Sequence, residues 1–132
     1  MDLSLSIELK SRLEILSSVV TLGKTRYRWT SSKGQMAVNG YRVNSGLLYV
    51  HEYDEKWHAV HILSHRSIVR PFERRSEAIT FAAAAGSVDG WDTDDLNQLQ
   101  MFQGFCCNLN KFIIGETLVP SALDLVIKWL KK

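Results

Sequence analysis

Residues 47–64, LLYVHEYDEKWHAVHILS, carry the strongest strand pattern in the chain. Apolar and polar residues alternate on both sides of a short charged segment formed by Asp54, Glu55 and Lys56. Alternation with a period of two is typical of a β-strand, and a polar break between two such runs is typical of a hairpin. We therefore predict an antiparallel hairpin here, whose arms are the two longest strands of a sheet.

The loop of this hairpin determines which side chains share a face of the sheet. A three-residue loop sets Tyr53 opposite Trp57, which collects the rings on one face and the aliphatic side chains on the other. A two-residue loop pairs Tyr53 with Lys56 and mixes the two groups, because a slip of one residue moves a strand's side chains to the opposite face. We favour the three-residue loop because it separates the two groups better. The ring-bearing face then consists of Tyr49, His51, Tyr53, Trp57 and His61.

Another strand is predicted ahead of this hairpin, at residues 25–30. Arg26 and Arg28 alternate there with Tyr27 and Trp29. Because successive side chains of a strand point to opposite faces, the two arginines are predicted on one side and the two rings on the other.

Two further signals complete the predicted sheet. Asn39 and Gly40 stand between apolar residues, and both residue types accept the positive φ of a type I′ turn, so a hairpin turn is predicted there. Residues 68–72 predict a last, short edge strand, since Pro71 fits the edge of a sheet but not its centre.

Helices are predicted on both sides of this block of strands. Apolar residues at spacings of four, three and four from Leu9 to Val20 predict a helix over residues 4–20. Downstream of the strands, Ser76 is a suitable N-cap for a second helix. Pro120 suits the first position of the last helix.

Strands in one block followed by helices in another are typical of the α+β class. We predict a single α+β domain over residues 1–132 with an N-terminal helix and an antiparallel meander of about five strands. Two or three C-terminal helices should pack on one face of the sheet. The other face is expected to stay partly open to solvent.

The composition is that of an ordinary globular protein. Hydrophobic residues make up 45% and charged residues 23% of the chain, which argues against disorder. The net charge of +2 excludes a polybasic protein. Charge is nevertheless unevenly distributed: residues 1–75 hold 12 lysines and arginines against 7 acids, and residues 76–132 hold 4 against 7. The apolar runs are too short to span a membrane and Asp2 does not suit a signal peptide, so we expect a cytoplasmic protein with no membrane partner.

The histidines raise the question of a metal site, since all four fall between His51 and His65. In the favoured register His51 and His61 face each other, but a zinc site requires three or four ligands. The adjacent Cys106 and Cys107 are expected to be thiols that pack rather than react. We therefore predict no metal, no cofactor and no catalytic residue.

Rings beside arginines are what a single-stranded nucleic acid requires, because rings stack on bases and cations neutralise phosphates. We expect the ring-bearing face to gain positive charge from neighbouring strands, through Arg26, Arg28 and Arg42. A second basic cluster precedes a predicted helix start, where anions are favoured, and consists of Arg66, Arg70, Arg74 and Arg75.

These features predict a small non-catalytic protein that binds nucleic acid or another anionic partner. Two alternatives stay open. A protein-interaction module, such as an adaptor or inhibitor, would use the same rings as anchors. A histidine-dependent metalloenzyme would use the histidines instead. If helices cover the rings, they belong to the core and offer no surface at all.

Overall fold

The helices and strands follow one another in the predicted order. The computed structural model describes residues 3–131. Its elements are α1 (Leu3–Ser18), β1 (Leu22–Ser31), β2 (Gly34–Val43), β3 (Leu48–Tyr53), β4 (Lys56–His61), β5 (Arg66–Ser67), α2 (Arg75–Gly86), α3 (Leu96–Leu99), a 3₁₀ turn (Gln100–Phe102), α4 (Gln103–Ile113) and α5 (Pro120–Leu130). The α+β class is confirmed, with one helix ahead of the strands and the other described helices behind them.

The sheet differs from the prediction because it closes on itself. Within residues 3–131 the strands form a barrel in the order β1, β2, β3, β4, β5, and β5 returns to β1. Consecutive strands pair antiparallel, as predicted, but β1 meets β5 in parallel through Thr30 and Arg66. The sheet is therefore mixed rather than purely antiparallel. Closure pairs strand edges that an open sheet would expose, so the expected open face becomes the interior of a barrel.

The predicted turn at Asn39 and Gly40 is wrong. Both residues lie in the middle of β2, and the β1–β2 connection is made ahead of Gly34, whose φ is +105°. Gly40 is required for another reason. A Cβ at this position would overlap the carbonyl oxygen of Val50 and stand 2.8 Å from the Cβ of His51. The glycine therefore allows β2 and β3 to approach each other closely.

The favoured register of the β3–β4 hairpin is also wrong. Asp54 and Glu55 form a two-residue loop with φ of +53° and +64°, and Tyr53 pairs with Lys56 rather than with Trp57. Positive φ at both loop residues is the requirement of a type I′ turn, whose twist matches that of the flanking strands. Separating the rings from the aliphatic side chains favours the three-residue loop only if one face of the hairpin is covered. Both faces of this hairpin are covered, so the separation is not required.

Two hydrophobic clusters cover the two sides of the sheet. The larger cluster lies between the outer side of the barrel, where Val50 is fully buried, and the helices. α2 presents alanines at residues 82–85 to this cluster, which lets the helix lie close to the strands. The smaller cluster fills the inside of the barrel and is built on Tyr27, Trp29 and Val60.

The predicted edge strand at residues 68–72 does not form. β5 ends at Ser67, and the following segment contributes an isolated bridge between Trp57 and Phe72. Pro71 lies next to that bridge and has no backbone N–H to donate, so a continuous ladder cannot pass through it.

The helix ends were predicted with mixed success. α1 matches the predicted helix to within two residues at each end. Pro120 stands in the first turn of α5, as predicted. Ser76 is not an N-cap, because α2 already begins at Arg75 and the Glu77 carboxylate accepts a hydrogen bond of 3.1 Å from the backbone N–H of Arg74. Among the helices of residues 3–131, none combines the length and apolar character needed to cross a membrane.

Candidate functional site

Three of the five predicted rings point into the barrel. Tyr49, His51 and Tyr53 alternate along β3, and their rings contact those of Tyr27 and Trp29 on β1. Ring-centre separations between the two strands run from 4.5 to 5.5 Å. His51 is fully buried, so it belongs to the core and not to an exposed platform.

The other two predicted rings lie on the outer side of the barrel. Trp57 lies 5.9 Å from the guanidinium of Arg75, and His61 is buried against the ring of Trp91 at 5.5 Å. His51 and His61 therefore point to opposite sides of the sheet and cannot share a metal ion. Among residues 3–131, no group of three or more His, Cys, Asp or Glu side chains is placed to hold one.

Burial favours the neutral forms of Tyr27, His51 and His58 inside the barrel. The Tyr27 hydroxyl and His51 Nδ1 are 2.5 Å apart, and the ring of His58 stacks on that of His51 with an interplanar angle of 12°. Burial, reinforced by the neighbouring His58, lowers the pKa of His51 to about 4. Burial also lowers the pKa of His58 and raises the pKa of Tyr27 well above its ordinary range. These three groups are therefore not expected to add charge to a binding site.

His61 makes two structural hydrogen bonds on the outer side of the barrel. Its Nε2 donates to the backbone carbonyl of Trp91 at 2.6 Å, since a carbonyl oxygen can only accept. Burial lowers the pKa of His61, so the ring is neutral and its Nδ1 accepts from the Ser64 hydroxyl at 2.9 Å. These two bonds tie the β4–β5 connection to the segment ahead of α3.

The outer side of β1 carries an uncompensated row of cations. Lys24, Arg26 and Arg28 are exposed and alternate with the inward rings of the same strand. The sequence contains no acidic residue anywhere in residues 15–51. Within the part of the chain that the structure describes, none of these three cations forms an ion pair.

The row continues onto the neighbouring strand and the hairpin tip. Arg66 on β5 pairs with Thr30, which points to the same side of β1 as Arg28. Lys33 is exposed in the β1–β2 turn. We call these five cations the basic strip: Lys24, Arg26, Arg28, Lys33 and Arg66. Sequence reasoning selected three of them and missed the two lysines, of which Lys24 follows the same alternation as Arg26.

Arg42, predicted to join the ring-bearing face, is occupied elsewhere. Its guanidinium donates to the backbone carbonyls of Ser45 at 2.8 Å and Gly46 at 3.0 Å. It also lies 6.0 Å from the ring centre of Tyr49. Arg42 therefore supports the β2–β3 turn and is not part of the basic strip.

The predicted arginine cluster is spread over the connection between β5 and α2. Arg70 and Arg74 are exposed in or beside this connection. Arg75 packs its guanidinium on the ring of Tyr41 at 4.8 Å. Strand pairing with Thr30 places Arg66 in the basic strip.

A cleft of about 440 Å³ opens at the end of the barrel, beside the β1–β2 and β3–β4 connections. Its aromatic walls are Trp29, Tyr53 and His58. Its charged lining consists of two cations, Lys33 and Lys56, and one acid, Asp54. We call this feature the barrel-end cleft.

A larger groove, of about 740 Å³, lies between α1, α2 and the connection ahead of α5. Its charged lining consists of one cation, Lys10, and three acids, Glu14, Glu77 and Glu116. Because acids outnumber cations there, the groove does not suit an anionic partner.

The two cysteines are free thiols. Cys106 is buried in α4, and burial, with a smaller contribution from Cys107, raises the pKa of its thiol above the ordinary range. Cys106 packs in the core, as expected, whereas Cys107 is exposed and does not.

Comparison with known proteins identifies no relative of this chain. No family model, curated protein or solved structure matches the chain.

Proposed function

We propose that this chain is a non-catalytic binding protein whose partner is nucleic acid, contacted through the basic strip. The observation that carries the proposal is that Lys24, Arg26 and Arg28 form no ion pair among residues 3–131, in a stretch, residues 15–51, that contains no acid. Nucleic acid is the partner whose charge repeats densely enough to meet such a row. A cytoplasmic location belongs to the same proposal, and the free thiols of Cys106 and Cys107 are in keeping with a reducing compartment.

The geometry of β1 suits a linear anion. Residues two apart along a strand point to the same side and are separated by about 6.8 Å, so Lys24, Arg26 and Arg28 form a regular row. A strand of B-form nucleic acid rises about 3.4 Å per phosphate, so it presents about two phosphates for each of these cations. Contacts of this kind position the backbone and carry no sequence information.

The alternative, a protein-interaction module, needs the predicted rings as exposed anchors. His51 and His61 are buried, and Trp57 is partly covered by Arg75, so these anchors are less accessible than the cations. The charge pattern therefore favours an anionic polymer over an apolar protein surface. A histidine-dependent enzyme has less support still, because His51 and His61, which were predicted to face each other, lie on opposite sides of the sheet.

The proposal is tested by the salt dependence of binding to a fluorescently labelled single-stranded oligonucleotide, followed by anisotropy. If all five cations of the basic strip neutralise phosphates, the logarithm of the binding constant should fall against the logarithm of salt concentration with a slope of about −3.5. The double variant Arg26→Ala/Arg28→Ala should reduce that slope to about −2 and weaken binding at low salt.

Lys128→Ala is the matched control, because Lys128 is an exposed cation on α5 that is paired with Asp124 at 2.9 Å. This variant should bind as the native protein does. Absence of binding at low salt, or equal binding by the native protein and the double arginine variant, would refute the proposal.

A further inference from the structure

We propose that the barrel-end cleft receives one base of a single-stranded nucleic acid while the adjoining phosphates lie on the basic strip. This inference rests on the proposed function and adds to it a site for a base and a preference for single strands. The basic strip alone would not distinguish a strand with bases from one without them.

The walls of the cleft provide the surfaces on which a base stacks. The ring centre of Trp29 is 5.1 Å from that of Tyr53 and 4.7 Å from that of His58. The rings of Tyr53 and His58 stand at 87° to each other, so the three rings form a corner and not a closed stack. The rings of Tyr53 and His58 are only partly buried. A planar base can lie on one of them and meet the edge of the other, and every base has a π-face for such a contact.

The innermost ring is held in place by contacts within the protein. Trp29 is 5% exposed, and its indole N–H donates to Ser67 Oγ at 2.9 Å. His58 is supported from behind by the parallel ring of the buried His51. Rings that are already ordered lose little conformational entropy when a ligand arrives, which favours binding.

The rim of the cleft is continuous with the basic strip. Lys33 belongs to both, and Thr30, which lines the cleft, is the strand partner of Arg66. The other cation of the cleft, Lys56, is paired with Glu73. Lys33 is therefore the cation available to a phosphate that follows a base into the cleft.

The size of the cleft suits one nucleotide. Its volume of about 440 Å³ lies within the range of small-molecule sites, about 300–1,000 Å³. A base in a duplex is stacked and paired and would have to leave the helix to enter. A base in a single strand has no partner to leave, so single strands are the favoured ligand.

The test compares two oligonucleotides of equal length and charge, one with bases and one fully abasic. The strand with bases should bind roughly 5- to 150-fold more tightly, which is the effect of stacking about one base. The NMR signal of the Trp29 indole N–H should shift on addition of the strand with bases and stay in place on addition of the abasic strand.

Two variants of Tyr53 isolate the ring. Tyr53→Leu removes the aromatic surface and should abolish the preference for bases, leaving affinity for the abasic strand unchanged. Tyr53→Phe keeps the ring and should retain the preference. Thermal unfolding of both variants checks that the fold is preserved, and if Tyr53→Leu is unfolded, the Trp29 signal of the native protein decides the question.

The outcomes separate the two proposals. The base site would be overturned if the native protein bound both strands with equal affinity, or if the Trp29 indole signal did not shift on addition of the strand with bases. Neither outcome would contradict binding through the basic strip. Failure of both strands to bind at low salt would remove the proposed function itself.

Discussion

His51 shows how a polar residue becomes part of a core. One ring nitrogen, Nδ1, is bonded to the Tyr27 hydroxyl, and the other, Nε2, is buried with no hydrogen-bond partner among the described residues. A buried polar atom without a partner costs about 1–3 kcal/mol. Burying an imidazolium there would cost more, because a charge loses more solvation than a neutral ring does. Folding therefore requires His51 to be neutral.

The stability of the fold should consequently fall as the pH is lowered from 7 to 5. The pKa of His51 is lowered to about 4 in the folded protein from an ordinary value of 6.5, so the unfolded chain takes up a proton first. The stability tied to this residue is present above pH 6.5 and is lost progressively toward pH 4. At pH 5 the loss from His51 alone is about 2 kcal/mol. Urea unfolding at the two pH values measures it.

A control for this experiment removes both hydrogen-bonding partners together. The double variant Tyr27→Phe/His51→Phe leaves neither group unpaired, and its unfolding free energy should depend less on pH than that of the native protein. A native protein equally stable at pH 7 and pH 5 would contradict the neutral, buried state of His51.

Individual site residues were predictable from sequence where the signal was local. The alternation of Arg26 and Arg28 with inward rings is a property of one strand, and it matches the observed faces. Lys24 was missed because the predicted strand began at residue 25. His58 was missed because the three-residue loop turned it away from the rings, whereas the observed register pairs it with His51.

At the scale of elements, local patterns predicted helices better than strand pairing. α1 and α5 follow from apolar spacing and from Pro120, all within one segment. The Asn39-Gly40 signal was equally local, but its glycine serves the contact between β2 and β3. Barrel closure depends on β1 meeting β5, and no local pattern contains that information.

The close approach of β2 and β3 makes Gly40 intolerant of a side chain. Gly40→Ala would push a Cβ into the backbone of Val50, so we expect the free energy of unfolding to drop by about 2 kcal/mol or more. Gly23→Ala is the matched control, since a Cβ on Gly23 in β1 meets nothing within 4 Å. That change should stay within about 0.5 kcal/mol. Urea unfolding compares the two, and equal effects would mean that the strands do not approach as described.

At the scale of the whole molecule, burial is distributed unevenly around the barrel. β3 and β4 contribute side chains to both hydrophobic clusters, and Val50, Ala59 and Val60 have no exposed surface. The tip of the β1–β2 hairpin is different, because residues 32–37 are all exposed. The tip also carries Lys33, which belongs to both the basic strip and the barrel-end cleft. The proposed binding surface thus includes the less buried end of the sheet.

This division predicts the pattern of amide hydrogen exchange. Segments open with free energies that range from near zero at exposed ends to the global value in the core, so amides of β3 and β4 should exchange with global unfolding. Amides at the hairpin tip should exchange through smaller local openings. A bound single-stranded oligonucleotide should slow exchange at the tip and hardly change it at the centre of β3, because the proposed ligand contacts the tip and the outer side of β1 but not β3, and it opposes the local openings of the tip. Uniform protection along β1 to β4 in the unbound protein would contradict the unequal burial, and a tip unaffected by bound oligonucleotide would locate the nucleic acid elsewhere on the molecule.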